Sequence, residues 1–272
     1  SEGSTAAADP AFADCGRVAC ELAAQGRITE AHLHIAASPL SEAARTMLHK
    51  QCADATLECD TFAEGLVVKP TSEGRWGVFA TRDFKSQDCI LQEMAVVPWS
   101  WFDFSDPERL EALIAELRTE EGRAKTARLN GMVPRSVPEI PHAVPILREL
   151  EGNVRATHPD LEGEELQELM RVLAVVVLNA HEDGCHGFGS LFNSHCTPNV
   201  EVRGWIHMDV YCLRDIAAGE ELCISYRAHG ELDMAVDWRR FRFAQKWGEL
   251  CTCPRCQREL RELGVEDPDD VA

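Results

Sequence analysis

Positive charge is scarce in this chain of 272 residues, which has 27 Lys and Arg against 46 Asp and Glu. The net charge of −19 argues against binding nucleic acid through a broad basic face. It suits a basic protein or peptide as partner, because a negative field steers cationic molecules toward the surface. A net negative charge can also serve only to keep a protein soluble. Composition alone therefore does not decide between a basic partner and solubility.

Long apolar runs are also missing. The most apolar stretch, Val172–Leu178, is far shorter than the roughly 20 residues that cross a bilayer. The first residues lack the basic-then-apolar pattern of a signal peptide. Twelve cysteines without such a signal favour a reducing compartment, the nucleus or the cytoplasm, where thiols bind metal rather than form disulfides. We therefore expect an intracellular monomer that does not associate with membranes.

Three cysteines crowd into six residues near the C-terminal end, as Cys251-Thr252-Cys253-Pro254-Arg255-Cys256. This spacing is too tight for ordinary core packing, and it supplies three thiolates to a soft cation. Zn²⁺ prefers four tetrahedral ligands, with Zn–S distances of about 2.3 Å. Cys196 lies in a polar segment that contains proline and is the best fourth donor. The sequence predicts one structural zinc ion bound by Cys196, Cys251, Cys253 and Cys256.

The first 60 residues predict three short helices. Asp9-Pro10 is typical of an N-cap followed by proline at the first helical position, and Thr29 and Ser38-Pro39 mark two further starts. A second metal site on these helices is an alternative, but their thiols are better explained as small core residues: Cys15, Cys20, Cys52 and Cys59.

The character of the sequence changes at Gly65, where short β-branched runs and tight turns begin. An amphipathic helix is predicted after Asp106-Pro107, and the prolines between 134 and 145 mark an irregular connection. Strands are predicted at 66–69, 78–80, 89–97, 200–202, 206–213 and 221–224, and further helices at 164–180 and 238–246.

Four segments follow one another in a distinctive order: Gly74-Arg75-Trp76-Gly77, Asn193 to Asn199, Ala218 to Tyr226 and Cys251 to Cys256. This order resembles the SET-domain protein-lysine methyltransferases with a cysteine-rich post-SET segment, and is most similar to the SET-and-MYND group. No cysteine lies between Ile90 and Gly184, so we expect no MYND zinc finger.

The resemblance implies an α+β fold, with a β-rich SET core of short twisted strands and a helical insert. It implies the following organisation: an N-terminal helical segment over 1–63, the SET domain over 64–246 with the insert at 98–170, a zinc-binding post-SET segment over 247–260, and an acidic tail over 261–272.

The resemblance also implies S-adenosylmethionine as methyl donor and Tyr226 as the catalytic residue. From the residues alone, Tyr226 is better explained as a core tyrosine and the glycine turn as a hairpin, and a core anchor beside zinc is an alternative for Trp247. Asn199 is interpreted as a turn former. The residues assigned to donor binding are Gly74, Arg75, Trp76, Gly77, Asn179, Asn193, Ser194, Tyr226 and Trp247.

The chain departs from the family at two places. Where the family reads Asn-His-Ser-Cys, this chain reads Asn193-Ser194-His195-Cys196, and Trp247 stands where relatives often carry a second tyrosine. The leading hypothesis is a protein-lysine N-methyltransferase acting on a basic substrate, such as a histone tail or a non-histone lysine. The departures motivate an alternative, a SET-fold protein-binding module with weak or lost activity. A zinc-stabilised interaction domain is a third hypothesis.

Overall fold

The computed structural model describes residues 10–56, 59–98, 107–132, 145–181, 184–204, 207–227 and 230–265. The chain divides into two compact units. The first unit comprises Ser1–Met132, Asn179–Asn193 and Asn199–Ile224, and the second comprises Val133–Leu178, Ser194–Pro198 and Ser225–Ala272. The segment boundaries drawn from the family resemblance stay a prediction.

The first unit begins with the three predicted helices: α1 (Pro10–Ala24), α2 (Ile28–Ala37) and α3 (Glu42–Asp54). Helix α1 opens on proline, where a missing N–H costs no hydrogen bond, and Ser41 caps α3 by accepting from Ala44 N. The helices share an apolar core that includes Ile35 and Leu48. Cys15 and Cys52 lie in this core, as expected of small core residues. Cys20 is exposed, and Cys59 is half-buried on a strand rather than on a helix.

Two four-stranded sheets form the β part. One has the order β1 (Cys59–Phe62), β4 (Cys89–Glu93), β9 (Met208–Cys212) and β8 (Val200–Arg203). The other has the order β2 (Leu66–Pro70), β3 (Trp76–Ala80), β10 (Glu221–Ile224) and β7 (Asn193–Ser194). The predicted strand 89–97 is two strands, because the chain leaves β9 after Glu93 and then pairs as β5 (Val97–Pro98) with β6 (Gly184–Cys185).

Two helices follow β5 in the first unit, α4 (Pro107–Leu117) and α5 (Glu120–Ala127). In the second unit, α6 (Pro145–Thr157) packs against α8 (Val236–Trp247), which also contacts α9 (Pro254–Glu262). Helix α7 (Gly163–Asn179) supplies the predicted apolar segment, and of the described helices none is long and apolar enough to cross a membrane. Most of the irregular connection predicted for 134–145 lies outside the described residues.

Candidate active site

The four cysteines predicted to bind zinc meet in the second unit. All four are buried, and their Sγ atoms lie within 4.8 Å of one another. The Sγ of Cys196 is 3.9 Å from that of Cys251 and 3.5 Å from that of Cys256, much longer than the roughly 2.05 Å of a disulfide. Four sulfurs around Zn²⁺, each about 2.3 Å from it, are about 3.8 Å apart. The cluster therefore fits a zinc ion.

Hydrogen bonds among these four thiols raise the pKa of some of them and lower the pKa of the others. The hydrogen bond from Cys251 is the main cause that lowers the pKa of Cys196 to about 6. The hydrogen bonds with Cys196 raise the pKa of Cys251 and Cys256 and lower that of Cys253. Thiolates are the form that binds metal, and a divalent cation is what lets several of them coexist at this spacing.

A buried guanidinium adjoins the cysteine cluster. Arg239, on α8, places Nη2 at 3.8 Å from Cys256 Sγ and donates from the same atom to Glu259 Oε2 at 2.5 Å. Arg255 donates from Nη1 to the carbonyl of Cys196 at 3.1 Å. These cations offset the negative charge of the thiolates. Sequence reasoning missed Arg239, although an arginine in the apolar stripe of a helix is a signal that could have found it.

The stripe of α8 that carries Arg239 also carries the aromatic residues of the cysteine cluster. Phe243 stacks on Trp247 with ring centroids 4.6 Å apart, and the Trp247 ring lies 5.2 Å from that of Tyr226. The backbone N–H of Tyr226 donates to Ser194 Oγ at 3.1 Å. The predicted convergence of the Tyr226 segment with the loop that follows Asn193 is therefore present, with both in the second unit.

The predicted glycine turn lies in the first unit, between β2 and β3. Thr71 N donates to the Arg75 carbonyl at 2.6 Å, and Gly74 N donates to the Thr71 carbonyl at 3.0 Å. Gly74 has φ of +77°, a left-handed conformation that favours glycine. The Arg75 side chain is exposed and pairs with Glu73. No described atom lies within 4 Å of an added Cβ at Gly74, so the backbone of this turn leaves room for close approach by a ligand.

Asn193 joins this turn to strand β10. Its Nδ2 donates to the Trp76 carbonyl at 3.0 Å and to Glu221 Oε1 at 2.7 Å. A Cβ at Gly77 would lie 2.6 Å from Glu221 Oε1 and 2.8 Å from Asn193 Nδ2, so only glycine leaves room for this arrangement. Sequence reasoning gave Glu221 no role. The acidic pair that opens β10 was the signal available.

Asn199 is not the simple turn former that the sequence suggested. Its side chain is buried and bonds the backbone of β10, donating from Nδ2 to the Glu221 carbonyl and accepting at Oδ1 from Cys223 N, both at 2.8 Å. It thereby replaces the ladder hydrogen bonds that a neighbouring strand would make. Its position after Pro198 predicted a turn. Its role is instead set by the hydrogen bonds to β10, more than 20 residues away in the sequence.

The predicted donor-binding residues thus form two sets. Trp76, Gly77 and Asn193 come together in the first unit, and Ser194, Tyr226 and Trp247 in the second. Asn179 is the last residue of α7, where the sequence predicted the helix to end, and it is half-buried. The roles of all these residues in binding a donor stay predictions.

Comparison with known proteins agrees with this arrangement. The family model described as SET domain matches residues 75–227, more than half of the chain. The chain belongs to the SET-domain family. The match begins in the glycine turn and ends next to Tyr226, so it includes all residues of both sets except Trp247.

Curated relatives of this SET domain are protein-lysine methyltransferases by name. The histone-lysine N-methyltransferase SET5 of Eremothecium gossypii is 31% identical over 106 residues, which cover 38% of this chain and 20% of the relative. The protein-lysine N-trimethyltransferase SMYD5 of Homo sapiens is 31% identical over 91 residues, which cover 32% and 22%. The chain spans about a fifth of the length of these relatives.

The fold of this SET domain is similar to that of a solved structure, Rubisco LSMT bound to AdoMet, with a TM-score of 0.50. The alignment covers 78% of this chain and 57% of the other, at 14% identity. At this identity the likeness concerns the fold alone, and it confirms the α+β SET fold predicted from the sequence.

Proposed function

We propose that this SET domain is an S-adenosylmethionine-dependent protein-lysine N-methyltransferase that acts on a basic protein, such as a histone tail or a non-histone lysine in a basic stretch. The names of its relatives support the reaction, and the net charge of −19 supports the substrate class. Twelve free cysteines support a reducing compartment, the nucleus or the cytoplasm.

One observation carries the proposal. Asn193 and Ser194 are consecutive, and each engages a different motif: the Asn193 amide bonds the Trp76 carbonyl, and the Ser194 hydroxyl bonds the backbone of Tyr226. Each of these two consecutive residues therefore bonds a different motif within its own unit, although the glycine turn and the tyrosine segment are about 150 residues apart in the sequence. Structural roles unrelated to one activity do not require that consecutive residues contact both motifs.

The residues present fit a methyl donor with an amino-acid portion. The Trp76 carbonyl and the Asn193 amide are half-buried polar groups beside Gly77, and no described atom lies within 4 Å of an added Cβ at Gly74, so the backbone of the turn is open to close approach there. We propose that these residues, with Gly74, Arg75 and Ser194, hold the donor, and that Asn179 contributes from the end of α7. When bound, S-adenosylmethionine supplies a methyl group activated on a positively charged sulfur.

The rings of Tyr226 and Trp247 supply the surroundings that the substrate amine needs. A free lysine has a pKa of about 10.4, so it must lose a proton before it can act as a nucleophile. Apolar walls disfavour the ammonium form and lower this pKa. The Tyr226 hydroxyl orients the amine, and alignment supplies a large part of the rate acceleration.

The four clustered cysteines support a single structural zinc in the post-SET segment. We propose that Cys196, Cys251, Cys253 and Cys256 hold it, which fixes α9 and the Trp247 end of α8 to the loop that contains Ser194. The metal contributes folding free energy here and takes no part in methyl transfer.

The decisive experiment is Tyr226→Phe, with Tyr211→Phe as the matched control, because these are the two tyrosines of the chain. Tyr211 lies on β9, outside both sets of predicted donor-binding residues. We expect Tyr226→Phe to lower turnover by about 100-fold or more, the scale for losing one oriented donor in a reaction. Donor affinity should hardly change, because the hydroxyl acts in the transition state.

A labelled-donor assay over histones and basic peptides measures turnover, and calorimetry measures donor binding. Equal turnover in Tyr226→Phe and the parent would contradict the catalytic role of the hydroxyl. Donor binding without turnover on any basic substrate would favour the alternative of a SET-fold binding module. No donor binding at all would leave only an interaction domain.

A further inference from the structure

A buried carboxylate holds the loop that leads into Asn193. Glu93, the last residue of β4, is 1% exposed, and its two oxygens accept from Phe188 N and Gly189 N, each at 2.8 Å. Burial raises the pKa of Glu93, while His186 and these N–H groups act in the opposite direction. A carboxylate that accepts several backbone N–H groups fixes the conformation of the loop that donates them. The loop reaches Asn193 only four residues after Gly189.

Helix α2 holds the same loop from its first turn. Thr29 is fully buried and donates from Oγ1 to the Gly187 carbonyl at 2.7 Å. A Cβ on Gly187 would lie 2.5 Å from Ile28 Cβ and 3.0 Å from Glu93 Oε1. Side chains at the start of α2 therefore contact the backbone of the loop directly. A helix that only shielded the loop from solvent would not require such contacts.

Aromatic packing continues this contact toward Asn193. The Phe188 ring meets the His32 ring of α2 at 4.7 Å between centroids and the Phe62 ring at the same distance, in edge-on geometry. Phe188 also meets Phe192, the residue before Asn193, at 5.9 Å. Phe188 and Phe192 are buried, so their rings have little room to shift independently.

Helix α3 holds the other donor-binding segment. His49 is fully buried, and its Nε2 accepts from Val68 N of β2 at 3.2 Å. Among the described strands β2 is at the edge of its sheet, so no described strand receives this N–H. Strand β2 pairs with β3 through Pro70 opposite Trp76, and the glycine turn connects them.

We infer that helices α2 and α3 are positioning elements of the donor site: Thr29 together with Glu93 sets the 187–193 loop, and His49 sets the strand pair that carries the glycine turn. Both segments that would hold the donor in the first unit are thus anchored to the N-terminal helices by buried polar side chains. This inference rests on the proposed function, and it assigns to the helices a role in donor affinity rather than in stability alone.

Two variants and their matched controls test the inference. Thr29→Val removes the hydroxyl that bonds the Gly187 carbonyl, and Thr29→Ser restores it. Thr46→Val is the control, because within the described residues that hydroxyl bonds the Glu42 carbonyl of its own helix. Glu93→Gln places an amide NH₂ against a backbone N–H, and Glu64→Gln makes the same change at an exposed position.

We expect Thr29→Val and Glu93→Gln to weaken binding of S-adenosylhomocysteine, the product form of the donor, by about tenfold or more, the scale for losing partners that orient a binding group. The expected KM for the donor rises more than kcat falls. Thr29→Ser should recover most of the affinity, and both controls should match the parent. Amide hydrogen exchange of residues 187–193 should quicken in the two variants alone.

The outcomes separate the two proposals. If the parent binds no donor, the proposed function fails, and the exchange of residues 187–193 still decides whether Thr29 and Glu93 hold the loop. If the parent binds donor and both folded variants bind it equally well, the positioning role is wrong and the helices serve stability only. Faster loop exchange without any loss of affinity would also overturn the inference.

Discussion

In the first unit, the residues that lead into Asn193 are fixed by single buried polar groups, such as Glu93 and Thr29, within a large apolar core. In the second unit, the residues around Ser194 and Tyr226 adjoin four thiols and a small apolar cluster that includes Phe243. Asn193 and Ser194 are neighbours in one motif, yet buried hydrogen bonds hold the residues that lead into Asn193, whereas a cysteine cluster adjoins the residues around Ser194.

The difference follows from how much each unit can bury. The first unit has helices and sheets that pack many large apolar side chains, so one well-placed hydrogen bond is enough to select a loop conformation. The described part of the second unit near Tyr226 has short helices, and α9 buries only Cys256 and Leu260. A segment of this kind gains its stability from a metal, as small domains do.

The largest expected effect is on the second unit. Cys196→Ser removes one of four zinc ligands, and structural zinc contributes on the order of 10 kcal/mol in small metal-dependent domains. We expect loss of bound zinc and rapid amide exchange over α8 and α9, with α1 to α3 still protected. Elemental analysis and hydrogen exchange measure both.

Cys20→Ser is the matched control for Cys196→Ser, because Cys20 is exposed on α1. It should retain full zinc content. A Cys196→Ser protein that keeps both its zinc and its exchange pattern would remove the contrast between the two units.

Arg239→Met sharpens the comparison inside the second unit. It keeps an apolar stem and removes the guanidinium that pairs with Glu259 and adjoins Cys256. Breaking a buried ion pair costs about 3 kcal/mol. We expect faster zinc loss to a chelator and a lower unfolding midpoint. Arg242→Met, at a half-exposed position paired with Glu231, should leave both values unchanged. Equal zinc loss in the two variants would contradict the role of Arg239.

The first unit should be the acid-sensitive one. His49 Nε2 accepts from Val68, so its proton is on Nδ1 and is donated to His32 Nδ1 at 2.9 Å. Burial lowers the pKa of His32 to about 3, and burial, then His32 and Arg45, lower that of His49. Because the folded pKa is below the unfolded value, stability is complete above about pH 6.5 and is lost as the pH falls toward 3.

Between pH 7 and pH 5, one such histidine accounts for a loss of about 2 kcal/mol in the free energy of unfolding. Urea unfolding at the two pH values measures it. His32→Gln should flatten the dependence on pH, whereas His34→Gln, an exposed position on the same helix, should not. A parent protein equally stable at both pH values would show that the pair is not held neutral.

Gly77→Ala should have the smallest effect on stability. The added Cβ meets the flexible ends of Glu221 and Asn193, which can move aside, so we expect a cost of only about 1 kcal/mol. Donor affinity should still fall clearly, because Asn193 loses its place beside the Trp76 carbonyl. Calorimetry beside thermal unfolding separates the two quantities. Gly152→Ala, where none of the described atoms lies within 4 Å of the added Cβ, is the control.

The sequence predicted what depends on local spacing and on strong motifs. The three N-terminal helices, most strands, and the meeting of Cys196 with the cysteine triplet were predicted. The start of α3 was predicted at Ser38-Pro39, but Ser41 is its cap. Glu93 could not be predicted, because a glutamate that ends a strand carries no sign of the loop 95 residues later that it bonds. Helix α9 was missed because its stripe of buried residues contains only Cys256 and Leu260.

The contact between Ile28 and Gly187 has a consequence for how related sequences can change. Because a Cβ at position 187 would lie 2.5 Å from that of Ile28 and 3.0 Å from Glu93 Oε1, a side chain at position 187 requires that residue 28 moves away or is glycine. Descendants of this chain that shed the N-terminal helices would be released from that restriction. An alignment of its relatives should therefore show the two positions varying together, and side chains at position 187 should accompany the loss of α2.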